Sequence, residues 1–151
     1  MLESMLSQKF SSEFDCYQLW KPSNRAAGWP DIGIQIGISQ FVWCELKVTT
    51  IRSDGLILLD NLQKEQAAFL YKWQRNNGFC FVLAALLGRG APGGLISYIV
   101  VRPFLYKDWL NVNRTLYKQT DLLSFKDMPA ILEWFRITYI PQYRSNGWLR
   151  K

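Results

Sequence analysis

The stretch Gly28-Trp29-Pro30-Asp31-Ile32-Gly33-Ile34-Gln35-Ile36-Gly37-Ile38, followed after a short break by Phe41-Val42-Trp43-Cys44-Glu45-Leu46-Lys47, decides how this chain is read. It reads as two strands joined by a tight turn. Successive residues of a strand point to opposite faces. Val42, Cys44, Leu46 and Val48 therefore share one face of the second strand, and Trp43, Glu45 and Lys47 share the other. In the first strand Ile32, Ile34, Ile36 and Ile38 point one way, while Asp31 shares its parity with Gly33, Gln35 and Gly37. Antiparallel pairing can then bring Asp31 beside Glu45 and Lys47 on a polar patch backed by an apolar face. Two carboxylates and a lysine in that setting suit a hard divalent cation and a water molecule.

Working outward, 151 residues with 49% hydrophobic content make most simply one domain with a substantial core. The formal charge of +6, from 18 basic and 12 acidic residues, is compatible with a polyanionic partner and equally with an ordinary basic protein. Cys16, Cys44 and Cys80 are isolated and odd in number, which argues against disulfide or thiolate–zinc frameworks and for a reducing, cytoplasmic compartment. The chain has no histidine, so imidazole–zinc sites, Ser-His-Asp and Cys-His catalysis and histidine-base nucleases are excluded. No secretory signal is expected at the start, and the longest apolar run, residues 79–87, is too short to span a bilayer. No membrane partner is expected.

Leu2, Leu6, Phe10 and Phe14 recur at intervals of four, predicting an amphipathic helix from residue 2 to about 14. A strand over 16–20 leads through a polar loop to the central hairpin. Asp60 and Gln63 have the spacing of a capping box, predicting a helix to about Asn76 that stops at Asn77-Gly78. Its apolar stripe is Leu62, Phe69, Leu70 and Trp73, with Gln66 on or beside it. Residues 79–87 are continuously apolar, as in a central strand covered on both faces. A glycine-rich turn and a strand over 95–101 follow. Residues 106–117 show no clear period, and Asp127 with Pro129 predicts a last helix packed by Ile131, Leu132, Trp134 and Phe135. Residues 141–151 read as a polar, basic tail. The order of elements is that of an α/β fold with a central mixed β-sheet flanked by helices.

The pair Pro30-Asp31, followed after a hairpin by Glu45-Leu46-Lys47, resembles the motif of the PD-(D/E)XK nucleases, the restriction-endonuclease-like superfamily. The resemblance is closest to the branch holding the VRR-NUC nucleases and archaeal Holliday junction resolvases. It covers about residues 1–101 and leaves 102–151 as a helical extension with no counterpart. It implies a restriction-endonuclease-like fold and a Mg²⁺- or Mn²⁺-dependent DNA endonuclease. Asp31, Glu45 and the main-chain carbonyl of Leu46 would be ligands, and Lys47 would attend the attacking water. In that branch an acidic residue on the N-terminal helix, here Glu3, and a glutamine opening the next helix, here Gln66, join the site. Gly28 precedes the Pro-Asp pair as in the family, with Trp29 inserted. Members act on branched, flapped, duplex or single-stranded DNA, as homodimers or monomers, and the residues here do not choose.

Each of these residues also has a plainer reading. Asp31, Glu45 and Lys47 could form an ion pair on a solvated sheet face, although charge inside such apolar strands is costly without a purpose. A glutamate in the first helical turn is favourable with the helix dipole, which accounts for Glu3 equally well. Cys44, Cys80 and the buried tryptophans are more simply core. Lys64, Lys72, Arg75, Arg102, Lys107, Arg114 and Lys118 are candidates for a phosphate-binding rim, and solvated charges otherwise. A catalytically silent DNA-binding or structural protein on the same fold is the alternative. The segment 104–117, with Phe104, Leu105, Tyr106, Trp109 and Leu110, is either a dimer face or a cover for the sheet.

Overall fold

The computed structural model describes residues 2–13, 17–20, 22, 28–36, 40–90 and 93–139. The side chains of Glu3, residues 10–13, residues 17–19 and Ile36 fall outside that description, as do Cys16 and the tail from 140. The hairpin at the centre is β2 (Ile32–Ile36) and β3 (Gln40–Thr50), antiparallel with Ile32 opposite Cys44 and Ile36 opposite Gln40. β1 (Tyr17–Trp20) pairs with β2 on its outer side, and β5 (Phe79–Leu87) runs parallel to β3 on the other. β6 (Leu95–Val101) and β8 (Leu123–Phe125) complete a mixed sheet in the order β1-β2-β3-β5-β6-β8. The fold is α/β, as the order of elements in the sequence indicates.

The period-2 pattern of the strands divides the apolar residues between two layers. Ile32, Ile34, Val42, Cys44, Phe81, Leu83, Tyr98 and Val100 face α1 (Leu2–Glu13) and α3 (Met128–Tyr139). Trp43, Cys80, Val82, Ala84, Leu86, Ile99 and Val101 face α2 (Lys64–Arg75) and a 3-10 helix over Tyr106–Arg114. β5 is buried on both faces, which is why its sequence is an unbroken apolar run. Short strands β4 (Leu56–Leu58) and β7 (Leu116–Lys118) pair antiparallel outside the main sheet. Among the described residues no helix is long and apolar enough to cross a membrane.

Two details differ from the sequence reading. α2 begins at Lys64, with the capping box formed by Gln63 and Gln66 rather than by Asp60 and Gln63. Leu59 and Leu62 are both fully buried and joined by a turn, Leu62 N–H to the Leu59 carbonyl at 3.0 Å, and this holds the chain out of helix until residue 63. At the far end Asn77, not Gly78, takes the left-handed conformation, at φ 64°. Gly78 is needed for room instead, since a Cβ there would lie 2.4 Å from the Trp73 indole nitrogen.

The segment 104–117 proves to be both cover and surface. Trp109 and Val112 are fully buried against α2, and Trp109 Nε1 donates to Gln74 Oε1 at 2.6 Å. Phe104 is 95% exposed. Trp109→Ala should therefore cost about 3–5 kcal/mol of stability, the usual range for emptying a buried aromatic site. Phe104→Ala should stay within about 0.5 kcal/mol. Urea denaturation of the two variants beside the parent checks both values.

Candidate functional site

The site is built where β2 ends. Pro30 carries no N–H, so it cannot continue the ladder. Residue 30 would face residue 46 in the register of the hairpin, and there an Asp31 carboxylate oxygen stands in for a main-chain carbonyl as the acceptor for the Leu46 N–H. The main-chain N–H of Leu46 donates to Asp31 Oδ2 at 2.9 Å. One step beyond the last paired residues, Ile32 and Cys44, Asp31 stands opposite Glu45. Gly28 fixes the approach of this loop to α2. It adopts φ 96°, and a Cβ on it would lie 2.7 Å from the Glu65 carbonyl oxygen. Only glycine meets both conditions without displacement.

Glu45 lies on the α2 face of β3 and is 1% exposed. Its Oε2 accepts a hydrogen bond from Gln66 Nε2 at 2.6 Å and pairs with Lys47 Nζ at 3.1 Å. Gln66 is itself held, because its Oε1 accepts the Gln63 main-chain N–H at 2.9 Å as part of the helix cap. Lys47 is also mostly covered, with 13% of its side chain exposed. The other carboxylate oxygen, Glu45 Oε1, is buried with no hydrogen-bond partner among the described residues. Native proteins leave few such atoms, since each costs about 1–3 kcal/mol.

Burial pushes the Glu45 carboxyl up to about 7, the charge of Asp31 pushes the same way, and Lys47 offsets part of the rise. Beside it, on the opposite face, Cys44 is completely buried and its thiol is raised well above the ordinary value, chiefly by that burial. Burial likewise takes the Cys80 thiol to about 12. Both are core thiols, as the sequence suggests.

Asp31, Lys47, Leu46, Val48 and Leu2 line a surface cavity of about 210 Å³. The first turn of α1 therefore reaches the mouth of the site although its body packs on the opposite layer. The Glu3 side chain lies outside the described residues. Among the described residues no group of three or more His, Cys, Asp and Glu side chains is placed to hold a metal ion. The basic candidates do not share one role. Arg102 lies 5.8 Å from the Trp134 ring centroid and 5.7 Å from that of Tyr139, and it donates to the Tyr139 hydroxyl at 3.2 Å. Arg114 donates to Asn111 Oδ1 at 2.5 Å. Lys64 and Arg75 occupy the two ends of α2.

Sequence reasoning gives the buried tryptophans to the core, where Trp43 and Trp109 lie, and assigns Trp20 and Trp29 no role. Trp20 is 47% and Trp29 is 42% exposed, and with Pro22, Phe41 and Trp43 they border an open groove. The signal was present in the shared parity of Trp29, Asp31 and Gly33, and of Phe41, Trp43 and Glu45.

Because the folded carboxyl of Glu45 titrates near 7, above the ordinary 4.5, its contribution to stability is full below about pH 4.5. That contribution is lost as pH rises through 7. In the presence of chelator, Glu45→Gln should remove this fall and leave the variant more stable than the parent at pH 8, by on the order of 2 kcal/mol. Denaturant titrations at pH 5 and pH 8 measure it.

No family model matches the sequence, and no curated protein matches it. Among solved structures the chain is similar to Hjc, a Holliday junction resolvase from the archaeal hyperthermophile Archaeoglobus fulgidus. Identity is 14% and the TM-score 0.47, over 82% of this chain and 92% of that one, a likeness that assigns no family.

Proposed function

We propose that this protein is a divalent-metal-dependent nuclease that hydrolyses phosphodiester bonds in DNA, with Asp31, Glu45, Lys47 and Gln66 as its working residues. The observation that carries the reading is the buried Glu45 oxygen without a hydrogen-bond partner, set opposite a second carboxylate. Two facing carboxylates and an oxygen lacking a partner suit Mg²⁺ or Mn²⁺, which favour oxygen ligands. Asp31, Glu45 and the Leu46 carbonyl would hold the ion, with Glu3 as a further ligand if its side chain turns inward. Bound there, the ion would polarise a phosphoryl oxygen and lower the pKa of a water.

The chain's own residues supply the rest. Lys47 lies against Glu45 at the wall of the cavity, where it can orient the attacking water and offset charge growing on the phosphate. Gln66 fixes the Glu45 carboxylate in one rotamer through a hydrogen bond backed by the helix cap. Asp31 ties its carboxylate to the Leu46 peptide, which sets the spacing of the two strands at the site. The free, buried thiols of Cys44 and Cys80 accord with a place beside DNA inside the cell. A homodimer would fix the distance between two cuts, whereas a monomer would nick; light scattering separates them.

A second reading has an observation in its favour. The carboxylates brought together by the described residues number two, with no group of three or more potential ligands among those residues. Glu45, Lys47 and Gln66 would then be a structural polar cluster in a silent DNA-binding or structural module.

Incubation of plasmid, linear, flapped and four-way DNA with Mg²⁺ or Mn²⁺ decides between them. Cutting that stops with chelator, and falls by roughly 10²-fold or more in Asp31→Asn and Lys47→Ala, is the expected result. A protein that neither cuts nor gains thermal stability from Mn²⁺ at millimolar concentration is the silent module.

A further inference from the structure

Trp20, Pro22, Trp29, Phe41 and Trp43 line an open groove of about 350 Å³ on the same side of the sheet as Glu45. We propose that this groove is a stacking subsite for an unpaired base of the strand being cut, so that the substrate is DNA with single-stranded character beside the scissile phosphate. The inference rests on the functional reading above and adds the substrate class to it.

The register builds the groove. Trp20 pairs with Gly33 and Gly33 with Trp43, so the three residues form a row across β1, β2 and β3. The central member has no side chain. A Cβ on Gly33 would lie 2.4 Å from Phe41 Cζ and 2.9 Å from Trp43 Cζ3, so the rings occupy the space that a side chain would take. Trp43 is 7% exposed and forms the base, in edge-on contact with Trp29 at 5.8 Å and Phe41 at 4.9 Å between centroids. Trp20 and Trp29 keep about half of their surface open. Flat aromatic walls with exposed π faces accept any base, because every base has a π face.

Position selects the occupant. Trp29 is two residues before Asp31, and Trp43 is two before Glu45 on the same face. Two residues of extended chain span about 6.6 Å, so the Trp43 floor of the groove lies one such step from Glu45 along the same face of β3. Among the described residues the groove lining carries no charged side chain, while Lys47 stands at the carboxylates and the chain as a whole is +6. That division matches a ligand with a neutral flat end and an anionic backbone. A paired base is already stacked within its duplex and has no face to offer, so the occupant is unpaired.

The test measures binding by fluorescence anisotropy in chelator, with labelled oligonucleotides of one sequence, single-stranded and fully paired. Trp20→Ala and Trp29→Ala should each weaken single-strand binding roughly five- to hundredfold, leave duplex binding within about twofold, and be largely rescued by Phe. With the parent protein, one abasic site walked along the strand should cause the same loss at one position and no further loss in Trp29→Ala. Equal losses on both substrates, or insensitivity to the abasic site everywhere, overturn the proposal. So does a change confined to oligomeric state in light scattering, which would make the groove a contact between copies. The two readings fail separately. Tryptophan-dependent single-strand binding without metal-dependent cutting removes hydrolysis and keeps the groove, and cutting indifferent to both tryptophans does the reverse.

Discussion

A carboxylate buried to 1% exposure in the middle of an eleven-residue strand is the constraint around which this fold is arranged. Removing such a charge from water is expensive unless partners replace the water. Here the partners come from separate parts of the chain. Lys47 is on the same strand two residues along, Gln66 comes from α2, and Asp31 adds a like charge from the end of β2. The arrangement is incompletely balanced, as the raised Glu45 carboxyl and its partnerless oxygen both record. An apolar residue at 45 would pack more cheaply. The imbalance is therefore more readily explained by something the site does than by what holds the sheet together.

Much of this was legible in the chain because a strand's period of two leaves little freedom. Once Ile32, Ile34, Val42, Cys44 and Leu46 are given to one layer, Asp31, Glu45 and Lys47 must share the other, and the hairpin register follows. The unbroken apolar run from Phe79 to Leu87, bounded by glycines at both ends, reads as a strand covered twice, and β5 is that strand. Elsewhere the pattern is silent for physical reasons. β4, β7 and β8 have three residues each, too few to display alternation. The 3-10 helix over Tyr106–Arg114 buries only Trp109 and Val112, and one pair three apart is too little to show a period.

The start of α2 shows a different limit. Asp60 with Gln63 satisfies the local rule for a cap, and Gln63 with Gln66 comes second because glutamine is outside the favoured N-cap residues, so local chemistry alone points to the first. Tertiary burial of Leu59 and Leu62 chooses the second. That choice matters for the site, since it makes Gln66 the residue that closes the cap and also reaches Glu45. The aromatic groove was hidden for a related reason: tryptophan is usually buried, and the edge position of β1 leaves Trp20 open.

β3 and β5 are parallel, and α2 provides the crossover between them. A crossover must carry the chain back along the sheet, so α2 runs against β3 and starts near the end where β3 leaves. Its first turn is the one in contact with Glu45. The aligned peptide dipoles of α2 thus present their positive pole, equivalent to roughly half an elementary charge, toward the carboxylates. Part of the countercharge at this centre is therefore supplied by the handedness and direction of the chain itself. No side-chain substitution removes it while the crossover stands.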